Sequence, residues 1–385
     1  MQEPAPNPEV PLVQRVALPA PRKPRPGFWG AVLWCLLFIA VQLGCAIGTI
    51  TIILVVHMLR SDNPSQFINE QLSQFAKAAA PTKPDEPPRP PVPTELGQAI
   101  AYGMLAAQVG SLGLILLVVP RAVGPGWKRQ LGVRVPAGLH VFLVILVLPA
   151  FMILADGIQE LFLRLTGITR PAANEALNGT FGTVPGLVTF LAVAFGPGLV
   201  EEFWCRGFLG RGLCARYGML LGVVSTSFLF GMLHIDPSHV MIAALMGAYL
   251  HFVYLATRSI WVPVLLHLMN NGLAVFLALA PALQDAAKSF QEDKHGLRAV
   301  MDLASLGLVV FASVALWTSR AEVIRVPAKD GLPDANEWKQ EYPGISLPPA
   351  GAPEKLSYGT LSPAAMFLAM GSFGILAYLL SQLGK

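Results

Sequence analysis

Two adjacent glutamates and an arginine interrupt a long apolar stretch of the chain. Glu201 and Glu202 follow residues 184–200, which carry no charge, and Arg206 comes four residues after Glu202. An ionisable residue at the centre of a membrane-spanning helix costs about 2.5–3.5 kcal/mol or more, so such residues mark functional sites by default. The alternative without a function is a helix end whose charges lie among the lipid headgroups.

Helical spacing predicts different surroundings for the two glutamates. Residues four apart share a face of a helix, so Glu202 can form a structural ion pair with Arg206. Glu201 points about 100° away from Glu202, because an α-helix has about 3.6 residues per turn. The pattern therefore predicts that one glutamate is held by the arginine while the other faces a cavity.

Further polar residues lie in two later apolar segments. If the loop near Tyr217 is the apex of a helical hairpin, Glu201 lies 16 residues before it and His234 lies 17 after it. At about 1.5 Å per residue, both would sit about 25 Å from the apex. His267 and Asn271 are four residues apart near the inner end of another predicted helix. We expect all four to line one cavity in the cytoplasmic half of the membrane.

These residue types suit the hydrolysis of a peptide bond. A carboxylate and a histidine in an apolar cavity can activate water as a general base. A second histidine and an asparagine can donate hydrogen bonds to a developing oxyanion. Glu201, His234 and His267 could instead hold a divalent metal such as zinc, with an open position for water. Four other histidines are interpreted as structural, namely His57, His140, His239 and His251.

The composition indicates a polytopic membrane protein. Of the 385 residues, 54% are hydrophobic and 13% are charged, whereas soluble domains carry about 25% charged residues. The mean hydropathy of +0.56 agrees. The four cysteines form no C-x-x-C pair and lie in or beside apolar segments, so they predict neither a disulfide framework nor a zinc site. We expect no nucleic-acid partner.

Nine apolar segments predict an all-α fold, a polytopic transmembrane bundle of about 8–9 spans with a core of four helices. Basic residues in the N-terminal tail and after every even-numbered span predict a cytoplasmic N-terminus. Since there is no inverted pair of broken helices, a transporter or channel is disfavoured. The predicted spans are 28–59, 97–120, 139–154 (or to 163), 184–213, 218–235, 239–256, 260–280, 300–317 and 361–383.

Four regions follow from this division. We expect a disordered, basic, Pro-rich tail and then N-terminal helices interrupted by a Pro-rich loop of polyproline type. The core comes next, and C-terminal helices with a polar loop complete the chain. In residue numbers the regions are 1–27, 28–183 with its loop at 60–96, 184–280, and 281–385 with its loop at 320–360.

The polar motifs resemble those of the CPBP family, the group of intramembrane proteases that includes the type II CAAX prenyl endopeptidases and bacteriocin-processing proteins. The resemblance covers about residues 184–280, a quarter of the chain, and three motifs in the family's order make it specific. The motifs are Glu201-Glu202-x-x-x-Arg206, Phe230-x-x-x-His234 and His267-x-x-x-Asn271.

The resemblance implies a role for each of these residues. Glu201 and His234 would activate the water, and His267 and Asn271 would stabilise the oxyanion. The predicted ion pair would organise its helix. The family is often named metalloprotease, yet its eukaryotic member resembles a glutamate-dependent enzyme without a bound metal. We therefore expect that no cofactor is required, with zinc as the alternative.

The leading hypothesis is a CAAX-type intramembrane endopeptidase, as in the maturation of CAAX-box proteins, that cuts near the cytoplasmic face. The main alternative is a non-enzymatic membrane scaffold or bacteriocin-immunity protein with the same fold. The expected partners are membrane lipid and a peptide or protein substrate, whose lipidation the sequence does not reveal. As the location, the bacterial cell membrane is preferred to the endoplasmic reticulum.

Overall fold

The computed structural model describes residues 25–78, 92–124, 126–169, 179–234, 236–280, 297–323, 356–360 and 363–382. These residues form a bundle of α-helices with one small β-sheet. The helices are α1 (Phe28–Arg60), α2 (Pro64–Ala78), α3 (Thr94–Val123), α4 (Trp127–Gln130), α5 (Gly138–Thr166), α6 (Gly186–Tyr217), α7 (Met219–Met232), α8 (Pro237–Thr257), α9 (Trp261–Leu279), α10 (Leu297–Thr318) and α11 (Pro363–Gln382).

The described helices confirm an all-α polytopic membrane fold. Six of them are long and apolar enough to cross a bilayer, namely α1, α3, α5, α6, α8 and α10. The shorter apolar helices α7 and α9 pack against α6 and α8 in the core. A hydrocarbon layer about 30 Å thick needs about 20 residues of helix, so α7 with its 14 residues is too short to span it. The six long apolar helices nevertheless make this an integral membrane protein.

Two predicted loops contain regular structure. Helix α2 lies within the predicted loop 60–96, where Pro64 occupies a favoured first helical position and the Asn63 side chain accepts a hydrogen bond from the Gln66 N–H at 3.2 Å. The predicted loop 320–360 contains the antiparallel strands β1 (Ala321–Val323) and β2 (Leu356–Tyr358). The predicted polyproline segment at 82–91, and the tail up to residue 24, lie outside the described residues.

Helix α6 carries the two glutamates and departs twice from α-helical winding. The stretches Leu191–Phe195 and Phe203–Gly210 are π-helical, and the α-helical turn Gly196–Glu202 lies between them. Wide turns of this kind are rare and are frequent at functional sites. Pro197 has no N–H, so the carbonyl of Val193 lacks its usual donor four residues on. The glutamates therefore lie where the helix is least regular.

Two glycines let neighbouring helices approach the site closely. A Cβ at Gly198 on α6 would lie 3.0 Å from the backbone nitrogen of Leu268 on α9. A Cβ at Gly231 on α7 would lie 2.5 Å from the carbonyl oxygen of Val240 on α8. Real Cβ atoms essentially never come within 3 Å of such atoms, so only glycine fits at Gly231 without a shift. These contacts bring the polar residues of four helices together.

Candidate active site

Glu202 and Arg206 form an ion pair on the packed side of α6. The Arg206 Nη1 donates to Glu202 Oε1 at 2.5 Å, and both side chains have 0% exposure. The Nη2 of Arg206 donates to the carbonyl of Gly247 on α8 at 3.0 Å, and the guanidinium lies 4.4 Å from the ring centroid of Phe230. The four-residue spacing of Glu202 and Arg206 therefore produces the predicted ion pair, although the turn that contains Arg206 is π-helical.

The same glutamate also holds His267, a contact that the sequence did not predict. The Nδ1 of His267 lies 2.9 Å from Glu202 Oε1, and the ring is 5% exposed. A carboxylate at this distance fixes the ring orientation and favours a proton on Nδ1, which leaves Nε2 as the nitrogen available to the cavity. Glu202 therefore joins Arg206 on its own helix to His267 on α9.

A cavity of about 590 Å³ opens on the other side of the motif. The four residues predicted to act on a substrate all line it, namely Glu201, His234, His267 and Asn271. Glu201 is half-buried, and within the described part of the chain its carboxylate has no hydrogen bond or ion pair. The two neighbouring glutamates thus have opposite surroundings, one fully paired and one facing open space.

His234 lies in the turn after α7 rather than on the helix itself. We predicted a helix to residue 235, whereas α7 ends at Met232. A proline disfavours helical geometry in the residue before it, and Asp236 in an extended conformation precedes Pro237. The ring of His234 packs edge-on against Phe230, with centroids 5.1 Å apart, and its Nδ1 lies 3.1 Å from the carbonyl of Phe230.

Asn271 is anchored by α6. Its Nδ2 donates to the carbonyl of Val193 at 3.0 Å, the carbonyl that Pro197 leaves without its usual donor. Its Oδ1 accepts a hydrogen bond from Asn270 Nδ2 at 3.1 Å. An amide nitrogen carries two hydrogens, so one N–H of Asn271 remains for a ligand in the cavity.

Sequence reasoning missed four polar residues of the cavity wall. Asp156 and Gln159 lie on α5, His239 lies on α8, and Asn270 lies on α9. His239, interpreted from the sequence as structural, has its Nδ1 2.9 Å from the Oδ2 of Asp236, and it also lines the cavity. The signal available in the sequence was the Asp-Pro step at 236–237, which predicts a helix start with the histidine in its first turn.

The other three histidines in the described part of the chain do not line the cavity. His140 is buried, with its Nε2 2.9 Å from the carbonyl of Ser319. His251 is also fully buried, and its ring lies beside that of Tyr254. His57 stacks on Phe67 of α2, with ring centroids 6.5 Å apart.

The geometry does not provide a preformed metal site. Across the described ranges, no group of three or more His, Cys, Asp or Glu side chains is arranged to hold a metal ion. Glu201, His234 and His267 share the cavity without converging on one point, and the Nδ1 of His267 is bonded to Glu202. Tetrahedral zinc requires three such ligands within about 2.0–2.3 Å of the ion, so these residues do not fit it.

Comparison with known proteins identifies the segment that carries the site. Residues 183–273 match the family model described as type II CAAX prenyl endopeptidase Rce1-like. The protein named "Putative membrane peptidase YdiL" from Bacillus subtilis (strain 168) is 28% identical over 171 residues, which is 44% of this chain and 66% of that relative. The chain thus spans just under two thirds of that relative's length. No solved structure matches the chain significantly. The matched segment runs through α6 to α9 and contains every predicted site residue, so the similarity to CPBP-type membrane proteases lies where the sequence predicted it.

Proposed function

We propose that the protein is an intramembrane endopeptidase of the CAAX-protease type that hydrolyses a peptide bond near the cytoplasmic face. One observation carries this proposal. The Glu201 carboxylate is without a partner among the described residues and faces a cavity that it shares with two histidines and an asparagine. An unpaired carboxylate at membrane depth is costly, so its retention favours a chemical role.

The proposed reaction begins with a water molecule between Glu201 and His234. Glu201 takes a proton from the water, assisted by His234, and the water oxygen attacks the carbonyl carbon of the substrate. His267 and Asn271 then donate hydrogen bonds to the oxyanion. Because the Nδ1–H of His267 is bonded to Glu202, its Nε2 can donate only from the protonated ring, whose charge Glu202 offsets.

Cleavage of a defined peptide tests this proposal. The purified protein in lipid nanodiscs is given an internally quenched peptide that ends in a CAAX sequence, with its cysteine either farnesylated or free. We expect wild type to cut the peptide, with products identified by mass spectrometry. Glu201→Gln should lower turnover by about 10²–10⁴-fold, because glutamine has the same shape and cannot accept the proton.

A matched control separates loss of chemistry from loss of structure. Glu160→Gln removes an exposed carboxylate of α5, which pairs with Arg164, and should leave turnover unchanged. If wild type cuts neither form of the peptide, or if Glu201→Gln keeps full turnover, the endopeptidase is contradicted. The non-enzymatic scaffold or immunity protein is then the better account. The two forms of the peptide also show whether the prenyl group is required.

The proposed reaction requires no metal. This is supported by the separation of Glu201, His234 and His267 around the cavity and by the commitment of His267 to Glu202. We expect chelators such as EDTA and phenanthroline to leave turnover unchanged. Elemental analysis that finds about one zinc per chain, with activity lost on chelation and restored on readdition, would contradict this.

We further propose a bacterial cell membrane location with a cytoplasmic N-terminus. The support is the basic charge after the even-numbered spans, and the bacterial source of the relative is in keeping with it. A fluorescent protein fused to the N-terminus should fluoresce, and alkaline phosphatase fused after α11 should be active outside. The opposite pattern of reporter activities would contradict the proposed cytoplasmic N-terminus.

A further inference from the structure

A second pair of titratable residues stands at the start of α8. Asp236 caps this helix, and its Oδ1 accepts a hydrogen bond from the Ser238 N–H at 2.9 Å. Its Oδ2 lies 2.9 Å from the Nδ1 of His239. The helix cap requires only the Asp236 side chain and the backbone N–H of Ser238. The contact between Asp236 and the His239 ring is therefore not needed for capping.

The ring of His239 is held at one nitrogen and open at the other. The carboxylate beside Nδ1 leaves Nε2 for other contacts, as in carboxylate–histidine pairs that fix a tautomer. His239 lines the same cavity as Glu201, and 43% of its side chain is exposed, against 18% for Asp236. The ring can therefore meet a ligand in the cavity and exchange protons with solvent.

Cleavage of an amide needs a proton donor that the proposed reaction has not yet supplied. The nitrogen of the scissile bond leaves readily only when it takes up a proton as the bond breaks. Glu201 begins as the acceptor of a proton from water, and His267 and Asn271 are assigned to the oxyanion. His239 is the cavity residue with a fixed ring, a carboxylate partner and contact with solvent.

We propose that His239, oriented by Asp236, donates the proton to the leaving amine; this rests on the proposed endopeptidase. The water proton goes to Glu201 as the new C–O bond forms. The C–N bond then breaks as the leaving nitrogen takes a proton from Nε2 of the protonated His239. Glu201 afterwards releases its proton and His239 regains one through solvent, so that one water is consumed and both groups return to their starting states.

Titratable and charged groups from several elements lie around the cavity that His239 lines. The carboxylates of Asp236 on its own helix, Asp156 on α5 and Glu201 on α6 all belong to this region. Two other histidines share the cavity, His234 in the turn before α8 and His267 on α9. On α10, Arg298 is bound to Asp156 at 3.0 Å and Asp302 at 3.1 Å, so its charge is offset by two carboxylates.

A change of leaving group tests this assignment. Two substrates share one acyl sequence, a peptide amide and the corresponding p-nitrophenyl ester, whose nitrophenolate leaves without a proton. His239→Gln should lower turnover of the amide by about 10²-fold or more. Turnover of the ester should stay close to that of wild type. A merely structural role for His239 would lower both rates together.

Two further variants complete the test. Asp236→Asn keeps an equally good helix cap and removes the charge, so it should reduce amide turnover and spare the ester without loss of folding. His57→Gln, on α1 away from the cavity, should change neither rate. If His239→Gln lowers the amide and ester rates equally, or keeps full amide turnover, the role of His239 is contradicted while the proposed endopeptidase stands. If wild type cuts neither substrate, the proposed endopeptidase falls and the inference falls with it.

Discussion

The two sides of α6 differ sharply although they meet at consecutive residues. On the packed side, Glu202 is fully buried and its Oε1 contacts both Arg206 and His267. On the cavity side, Glu201 is half-buried and has no partner among the described residues. A carboxylate that is already neutralised by an arginine is a poor base, whereas a free one can accept a proton. The contrast supports the proposal that one glutamate orients the site and its neighbour takes part in the chemistry.

Close aromatic packing also holds the part of α6 that follows the two glutamates. Trp204 is fully buried and stacks on Phe38 of α1, with ring centroids 5.2 Å apart, and contacts Phe208 at the same distance. These aromatic contacts fix the rotation of α6 about its axis. A helix held in this way keeps Glu201 directed at the cavity, in line with the general need for rigid support behind a reactive group.

The largest expected effect comes from breaking the packed side. Arg206→Ala leaves Glu202 buried without its arginine, and removal of one partner of a buried ion pair typically costs about 3–5 kcal/mol. We expect a lower free energy of unfolding, a lower yield of folded protein and lost turnover. Thermal unfolding of the purified variant in detergent measures the first of these. The double change of Glu202→Gln with Arg206→Gln should recover much of the stability, because neither charge of the pair remains. Additive single effects would contradict the pairing.

A slightly smaller effect is expected for the amide on the cavity side. Asn271→Ala removes a proposed oxyanion donor and should lower turnover by about 10²–10³-fold, the usual loss for one such donor. Its neighbour provides the comparison, because Asn270→Ala removes only the hydrogen bond to Asn271 Oδ1 and should cost much less. Steady-state kinetics on the quenched peptide measures both variants. Equal losses would mean that Asn271 has no special role.

A larger side chain at Gly198, where α6 contacts α9, should have an intermediate effect. A Cβ at Gly198 would lie within 3.0–3.1 Å of three atoms of Leu268, next to His267. Gly198→Ala should therefore push α9 away and weaken the contact between His267 and Glu202, with about 1–3 kcal/mol lost from stability. Gly186→Ala in the same helix has nothing within 4 Å of the added atom and should be neutral. Unchanged turnover in Gly198→Ala would contradict the need for this close approach.

The smallest effect is expected for an ion pair with the same spacing at the surface. Arg164 and Glu160 lie four residues apart at 2.9 Å, with side chains 75% and 41% exposed. Exposed pairs contribute about 0–1 kcal/mol, so Arg164→Ala should shift the thermal midpoint far less than Arg206→Ala. A comparable shift in the two variants would mean that burial does not determine the value of these pairs.

The sequence predicted the apolar helices and four of the polar residues that line the cavity, because hydropathy and helical spacing are local rules. Hydropathy located α1, α3 and α5 to within a few residues except at the C-terminal end of α5, and helical spacing predicted the contact of Glu202 with Arg206. The contact of Glu202 with His267 joins residues 65 positions apart, and no periodicity within one helix can reveal it. The π-helical turns of α6 were also missed, since hydropathy and residue spacing do not distinguish π-helical from α-helical winding.

The most direct test compares Glu201→Gln with Glu202→Gln, each measured for turnover and for thermal unfolding in the same nanodiscs. We predict that Glu201→Gln loses turnover by about 10²–10⁴-fold while its unfolding midpoint stays at the wild-type value. Glu202→Gln should unfold at a clearly lower temperature, because Arg206 then lacks its buried counter-charge. If Glu202→Gln keeps the wild-type midpoint, or if Glu201→Gln keeps its turnover, the division of roles between the two glutamates is wrong.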